Sequence, residues 1–91
     1  MAYSLEVRPA AQRALRKMDR PVRQHIEGEL LALSEQPRPK GVKLLKASTR
    51  LYRIKLGPGK NYRAVYTIED GVLLVVVLEV GDRKEVYRRL S

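Results

Sequence analysis

Four cationic side chains and one tyrosine in the second half of the chain could act together on a phosphate. One residue separates Arg53 from Lys55, and Arg63, Arg83 and Tyr87 follow. An arginine presents a planar fork of N–H donors and a lysine presents a mobile point charge, so both bind phosphate oxygens well. A tyrosine ring can stack on a nucleic-acid base. Brought together by a fold, these residues would form a binding site for a nucleic-acid phosphate.

Other catalytic chemistries find little support in the sequence. The chain has no cysteine, which excludes a thiolate metal site, a cysteine nucleophile and a disulfide framework. His25 is the only histidine, so one chain cannot carry a two-histidine ribonuclease mechanism, and we expect a structural or surface role for it. The acidic residues show no metal-ligand spacing, so we expect no metal and no cofactor. Gly57-Pro58-Gly59 precedes a strand and not a helix, which indicates a turn and not a phosphate-binding loop.

The elements that would position the cationic residues begin with one strand and two helices. Residues 3–8 alternate between apolar and polar types, which predicts a half-buried strand. Pro9 suits the first turn of a helix that extends to about Met18. Asp19 is expected to cap a second helix, which Pro37 ends. The two helices therefore form a hairpin with a tight connection.

A change to period 2 from Leu51 onward predicts a meander of three strands. The strands are expected over residues 51–56, 62–69 and 72–80. Asp70-Gly71, between the last two, is the strongest hairpin signal in the chain. The last strand is apolar on both faces, so we expect it in the centre of the sheet.

These elements predict one α+β domain of order β-α-α-β-β-β. The simplest arrangement is an antiparallel sheet with the N-terminal helical hairpin packed on one face. The chain of 91 residues has the length of a single domain. Residues 42–46 fit either a turn or a short strand, and another short element begins near Val86.

Strand parity predicts what each face of the sheet carries. If the helices cover the apolar face, then Arg53, Lys55 and Arg63 converge on the opposite, open face. Like charges on adjacent strands repel one another, so a sheet selected only for stability would rarely place them there. The residues expected on the buried face include three core aromatics, Tyr52, Tyr62 and Tyr66.

The charge balance favours polyanionic partners. Nineteen Lys and Arg face ten Asp and Glu, which gives a formal net charge of +9. Such an excess favours RNA, DNA or an acidic protein segment as the partner, although a solvated basic surface explains the composition equally well. The longest apolar run, residues 72–78, is too short to span a bilayer, so no membrane is expected. The strand-like start does not indicate a signal peptide, and the lack of cysteine suits a reducing cytoplasm.

The order and spacing of several segments resemble the RelE toxins of bacterial toxin–antitoxin systems. The segments are Leu51–Leu56, Asn61–Tyr66, Val80–Arg83 and Val86-Tyr87, supported by Met1–Tyr3 and the region of Leu44. The resemblance covers nearly the whole chain and implies the same β-α-α-β-β-β fold. It also implies an endoribonuclease that cuts messenger RNA in the ribosomal A site without metal, by attack of a ribose 2′-hydroxyl on the adjacent phosphate.

The resemblance assigns a role to each residue of the cationic set. Lys55 matches the proposed general base, Arg83 the proposed general acid and Arg63 a residue that stabilises the phosphate. Tyr87 matches a tyrosine that stacks on the substrate base. Arg53 replaces a family lysine, and we expect it to bind substrate through a planar fork in place of a point charge. Crowding by the arginines would disfavour the protonated form of Lys55, as a general base requires.

The resemblance also implies partners and a location, and it leaves two other functions open. The partners would be a cognate antitoxin and the 70S ribosome with messenger RNA in its A site, in the cytoplasm. ParE toxins share the fold but act as non-enzymatic inhibitors of DNA gyrase, and a catalytically inactive domain would bind RNA without cutting it. The presence of Lys55, Arg63, Arg83 and Tyr87 favours the nuclease, because gyrase inhibitors are not expected to need them.

Overall fold

The computed structural model describes residues 2–46 and 50–90, with the backbone alone for Lys46 and residues 87–90. Five strands and three α-helices follow one another in these residues. They are β1 (Ser4–Val7), α1 (Pro9–Arg16), α2 (Arg20–Glu35), β2 (Lys43–Lys46), β3 (Leu51–Leu56), β4 (Tyr62–Glu69), β5 (Leu74–Asp82) and α3 (Arg83–Leu90). Short 3-10 turns, Pro58–Lys60 and Asp70–Val72, join β3 to β4 and β4 to β5. No helix in the described residues is both long enough and apolar enough to cross a membrane.

The strands form one mixed sheet in the order β1-β5-β4-β3-β2. The predicted α+β class is confirmed, whereas the last strand is not the central one: β5 is an interior strand between β1 and β4, and β4 lies in the centre. The prediction of a wholly antiparallel sheet is wrong at one pair, because β1 lies parallel to β5. The chain returns from the helical hairpin antiparallel to β1, and three alternations of direction from β2 to β5 then make β5 parallel to β1. The segment 43–46, which the sequence left open, is an edge strand.

Helices α1 and α2 cover one face of the sheet and form the main core with it. Ala11 and Leu15 are buried on α1, and Ile26, Leu30 and Leu33 are buried on α2, at the spacing that places side chains on one face of a helix. The sheet contributes Leu56, Ala64, Tyr66, Ile68, Val75, Val77 and Val80. This is the face that strand parity predicted for the apolar residues.

The three tyrosines expected in the core lie on this face. Tyr66 is fully buried, and its hydroxyl donates a hydrogen bond to the Pro37 carbonyl at 2.7 Å. Tyr52 and Tyr62 are partly buried against the same cluster. The rings of Tyr52 and Tyr66 stack with their centroids 5.8 Å apart. Burial raises the pKa of Tyr66 well above its ordinary value, because the phenolate would lose its hydration.

Helix α3 covers part of the opposite face, which the sequence had predicted to be open. The Asp82 carboxylate accepts a hydrogen bond from the Glu85 backbone N–H at 2.9 Å and so caps the helix. Val86 is fully buried, and its Cγ2 lies 3.4 Å from the position that a Cβ on Gly81 would occupy. Val65 is also buried, and it lies opposite Glu79 on β5. It does not belong to the main core cluster, so it lies on this second face of the sheet. A second, smaller apolar contact therefore lies beneath α3.

Three segments that are distant in the sequence meet at one end of the molecule. Arg38, after α2, pairs with Asp70 in the β4–β5 turn at 2.8 Å, and the Tyr3 hydroxyl donates to the same carboxylate at 2.8 Å. The Arg38 guanidinium also lies over the Tyr52 ring, 5.5 Å from its centroid. Hydrogen bonds from Arg38 and then from Tyr3 lower the pKa of Asp70 to about 2.

Candidate functional site

The site begins with a row of three residues that lie side by side across three strands. Lys55 on β3 is opposite Arg63 on β4, and Arg63 is opposite Gly81 on β5. The Cβ atoms of residues that are directly opposite in an antiparallel pair lie about 4.5–5.5 Å apart. The predicted convergence of Lys55 and Arg63 on the face opposite to the α1–α2 hairpin is therefore confirmed.

Arg63 is the most unusual residue of this row, because it is a buried cation. The residue is only 4% exposed. One terminal nitrogen donates to the carbonyls of Lys60 at 2.8 Å and Tyr62 at 2.9 Å, whereas Nε has no acceptor among the described residues. No carboxylate of the described residues lies within ion-pair distance of it. Burial of a cation is costly without a counter-ion, so this position favours a bound anion.

Lys55 and Arg53 differ in their exposure. The Lys55 side chain is exposed to solvent, beside the buried guanidinium of Arg63. Arg53 lies in the next row of the same face, opposite Val65, and is half-buried. The structure therefore offers one accessible amine and two less accessible guanidinium groups on adjacent positions of the sheet.

Arg83 joins the site at the end of β5. Its backbone N–H donates to the Asn61 carbonyl at 3.0 Å, which fixes the start of α3 beside the start of β4. The residue is exposed and follows Asp82, the partner of Tyr62 in the sheet. The structure thus brings the backbone of Arg83 next to the row of Lys55 and Arg63.

Tyr87 belongs to α3 by its backbone, and its side chain lies outside the described residues. Its role in stacking on a base stays a prediction. Gly81 is a residue of the site that the sequence reasoning missed. A Cβ there would lie 3.4 Å from side-chain atoms of both Glu85 and Val86, so the start of α3 lies close to this end of the row.

The turn between β3 and β4 supplies the carbonyl groups that hold the arginines. Gly57 has a φ of +80°, and a Cβ there would lie 2.6 Å from the Tyr62 ring, so only glycine fits without a shift. The predicted turn at Gly57-Pro58-Gly59 is confirmed. No sequence pattern indicated that the carbonyls of Lys60 and Asn61, at the end of this turn, bind the Arg63 guanidinium and the Arg83 backbone N–H.

A cleft beside Gly81 separates α1 from the start of α3. Its charged lining consists of Arg13, Lys17, Glu79, Asp82 and Glu85. Both signs of charge are present, so the cleft is polar but not uniformly cationic. Among the described residues, no group of three or more His, Cys, Asp or Glu is arranged to hold a metal ion.

A family model for the ParE toxin of the type II toxin–antitoxin system parDE matches residues 5–87 of the chain. The chain is also 36% identical to the mRNA interferase toxin RelE of Escherichia coli K12 over 89 residues, which cover 96% of this chain and 92% of that protein.

Solved structures agree with these sequence matches. The isolated RelE toxin of E. coli is 34% identical and superposes with a TM-score of 0.75, covering 98% of this chain and 95% of that one. The toxin chain matched in the intact E. coli RelBE toxin–antitoxin complex is 33% identical, again with a TM-score of 0.75, over 89% of this chain and 96% of that one. The chain therefore belongs to the RelE toxins of the RelE/ParE superfamily of type II toxin–antitoxin systems.

Proposed function

We propose that this protein is the toxin of a toxin–antitoxin pair and that it is an mRNA interferase, an endoribonuclease that cleaves messenger RNA in the A site of the ribosome. The names of relatives at 36% identity over nearly the full length support the activity. The geometry of the row formed by Lys55, Arg63 and Gly81, here called the cationic row, supports this location of the active site.

The observation that carries the proposal is the buried guanidinium of Arg63. A residue that is 4% exposed, has an Nε without an acceptor among the described residues and lies opposite Lys55 is poorly satisfied in the protein alone. A phosphate would supply both the missing acceptor and the missing counter-charge. Preorganised donors of this kind stabilise charge that develops on phosphate oxygens in a transition state.

The proposed reaction is an in-line displacement at one phosphate of the messenger RNA. Lys55, as a neutral amine, accepts the proton of the ribose 2′-hydroxyl while the 2′-oxygen forms a bond to the adjacent phosphorus. The bond from phosphorus to the 5′-oxygen of the next nucleotide breaks, and Arg83 donates a proton to that oxygen. Arg63 stabilises the phosphate, Tyr87 stacks on the base, and Arg53 binds the RNA backbone. The products carry a 2′,3′-cyclic phosphate and a 5′-hydroxyl.

The proposed partners are a cognate antitoxin and the ribosome. Structures of RelE relatives have been solved with the antitoxin RelB, both as an intact complex and with a peptide of RelB. An antitoxin of this chain would neutralise the basic surface, whose formal charge of +9 also favours ribosomal RNA through release of counterions. Because its proposed target, the ribosome, is in the cytoplasm, we propose that the protein acts there.

The test is cleavage of a defined messenger RNA on purified 70S ribosomes with an empty A site. Wild type is compared with Lys55→Ala and Arg83→Ala, and with Lys40→Ala as an exposed lysine control outside the site. We expect Lys55→Ala to lower the single-turnover rate by about 10²–10⁴-fold, the usual contribution of a general base. Lys40→Ala should keep the wild-type rate.

Each outcome of this experiment separates the candidate functions. If wild type and Lys40→Ala cut the RNA and both Lys55→Ala and Arg83→Ala fail to do so, the result supports the nuclease activity. It also supports the location of the active site on this face of the sheet. Equal rates in Lys55→Ala and Lys40→Ala would remove Lys55 from the chemistry. Inhibition of gyrase supercoiling without any RNA cleavage would instead make the protein a gyrase inhibitor. Ribosome binding with neither activity would indicate a catalytically inactive RNA-binding domain.

A further inference from the structure

A carboxylate on α2 is hydrogen-bonded to the turn that precedes β4. Glu29 Oε1 accepts a hydrogen bond from the Gly57 backbone N–H at 2.7 Å, in a partly buried position. The same oxygen lies 3.2 Å from Nε2 of His25, one helical turn earlier. A hydrogen bond from a backbone N–H to an ionised carboxylate is about twice as strong as one between neutral groups. Glu29 therefore anchors the first residue of the turn to the helical layer.

Gly57 is connected through the turn to both arginines of the site. The Gly57 carbonyl accepts from the Lys60 N–H at 3.0 Å, and the Lys60 carbonyl accepts from the Arg63 guanidinium at 2.8 Å. The next carbonyl, that of Asn61, accepts from the Arg83 N–H at 3.0 Å. This one turn thus holds the guanidinium of Arg63 and the backbone of Arg83.

Glu29 acts on these residues from the other side of the sheet. It lies on α2 beside Ile26 and Leu30, which pack into the main core, whereas the cationic row lies on the opposite face. It touches none of the reacting groups proposed above. Its contact with the segment that leads to them is the hydrogen bond to the backbone N–H of Gly57.

We propose that Glu29 is a positioning residue, which holds the β3–β4 turn so that the Lys60 and Asn61 carbonyls keep Arg63 and Arg83 at the spacing that the phosphate requires. The inference rests on the proposed function for its catalytic consequence. Small misplacements far from the chemistry lower rates strongly, by up to about 10²-fold for an error of roughly 1 Å.

Three substitutions on the same helix test the proposal. Glu29→Ala removes the acceptor, whereas Glu29→Gln keeps an amide oxygen that can accept from Gly57. Glu27→Ala removes an exposed carboxylate of α2 that makes no hydrogen bond or ion pair with the described residues, and serves as the control. Maximal rate and half-saturating ribosome concentration are measured separately, with the folded fraction of each variant determined by urea unfolding.

We expect Glu29→Ala to lower the maximal cleavage rate of the folded protein about tenfold or more, with the half-saturating ribosome concentration within about twofold of wild type. Glu29→Gln should recover most of the rate, and Glu27→Ala should match wild type. A wild-type rate in folded Glu29→Ala, or equal losses in Glu29→Ala and Glu29→Gln, would overturn the proposal.

A second readout needs no RNA and therefore separates this proposal from the proposed function. Hydrogen exchange of the buried Arg63 Nε–H, followed by NMR on the free protein, should be slow in wild type and in Glu29→Gln. It should be at least about tenfold faster in Glu29→Ala, because the turn no longer holds the guanidinium in place. Unchanged exchange in Glu29→Ala would refute the positioning role, even if the protein cuts RNA. Faster exchange in Glu29→Ala, in a protein that cuts no RNA, would support the link from Glu29 to Arg63. The same result would reject the proposed nuclease activity.

Discussion

Arg63 and Lys55 are neighbours on two adjacent strands, but they differ in their exposure to solvent. Lys55 is exposed to solvent, whereas Arg63 is buried with one unsatisfied nitrogen in the described residues. Buried cations without counter-ions reduce stability, and they are retained where function needs them. Arg63 therefore has the properties of a residue kept for its ligand and not for the stability of the domain.

This interpretation predicts the effect of Arg63→Met, which replaces the guanidinium with a shorter, unbranched apolar side chain and removes the charge. We expect a free energy of unfolding that is unchanged or higher by about 1–2 kcal/mol, because a buried unpaired charge is lost. Cleavage should fall by at least about 10²-fold, because phosphate stabilisation is lost. Urea unfolding and the ribosome assay measure the two quantities, with Lys55→Met as the exposed comparison. A variant destabilised by more than about 2 kcal/mol would identify Arg63 as a structural residue.

Among the elements, α3 begins with a hydrogen-bonded side-chain cap. Asp82 accepts from the Glu85 N–H at 2.9 Å, whereas Asp19, at the corresponding position of α2, makes no such side-chain hydrogen bond. Removal of a hydrogen-bonded N-cap costs about 0.5–2 kcal/mol. We therefore expect Asp82→Ala to lower the free energy of unfolding by about 1 kcal/mol and Asp19→Ala to lower it by less, both measured by urea unfolding. Equal losses would show that the cap is not what stabilises α3.

Most of the elements follow from local sequence patterns. Period-2 alternation predicted β1, β3 and β4, and Pro9, Asp19 and Pro37 predicted the limits of the helical hairpin to within two residues. These features depend on neighbouring residues only. The same parity argument placed Arg53, Lys55 and Arg63 on one face, because side chains alternate along a strand wherever its partners lie.

Features that depend on distant partners were not predicted. The parallel pairing of β1 with β5 and the packing of Val86 over Gly81 involve residues whose separation in the sequence hides the contact. The burial of Arg63 follows from the same packing and from two backbone carbonyls. The spacing of Asp82 and Glu85 is typical of a helix start, with an acceptor at the cap and Glu three residues later, and it would have revealed α3.

At the scale of the whole molecule, Asp70 connects the N-terminal segment, the α2–β2 loop and the β4–β5 turn through Tyr3 and Arg38. Its pKa is about 2 in the folded protein, below the ordinary value of 3.8. A lowered carboxyl pKa means that the folded state binds the proton less tightly than the unfolded state. The stabilisation by Asp70 is therefore complete above about pH 4 and is lost as the pH falls toward 2.

The lowered pKa of Asp70 predicts how the stability of the protein changes with pH. Urea unfolding between pH 6 and pH 2 should show a loss of stability in wild type below about pH 4. Asp70→Asn should be less stable than wild type at pH 6, and the difference should shrink toward pH 2. Asp19→Asn, which changes an exposed carboxylate without a side-chain hydrogen bond, should keep the wild-type profile. A constant difference between Asp70→Asn and wild type at every pH would show that the carboxylate charge contributes nothing.

The pairing of β1 with β5 also bears on how the protein is made. Residues 4–7 find their partners only at residues 74–77, and the cationic row needs Gly81 from the same strand. A chain that emerges from the ribosome in order therefore exposes β3 and β4, with Lys55 and Arg63, before β5 exists to complete the sheet. Long-range pairings of this kind are also slow to form. If the protein has the proposed function, its site would thus be incomplete during synthesis, and cleavage would begin only after the chain is nearly finished.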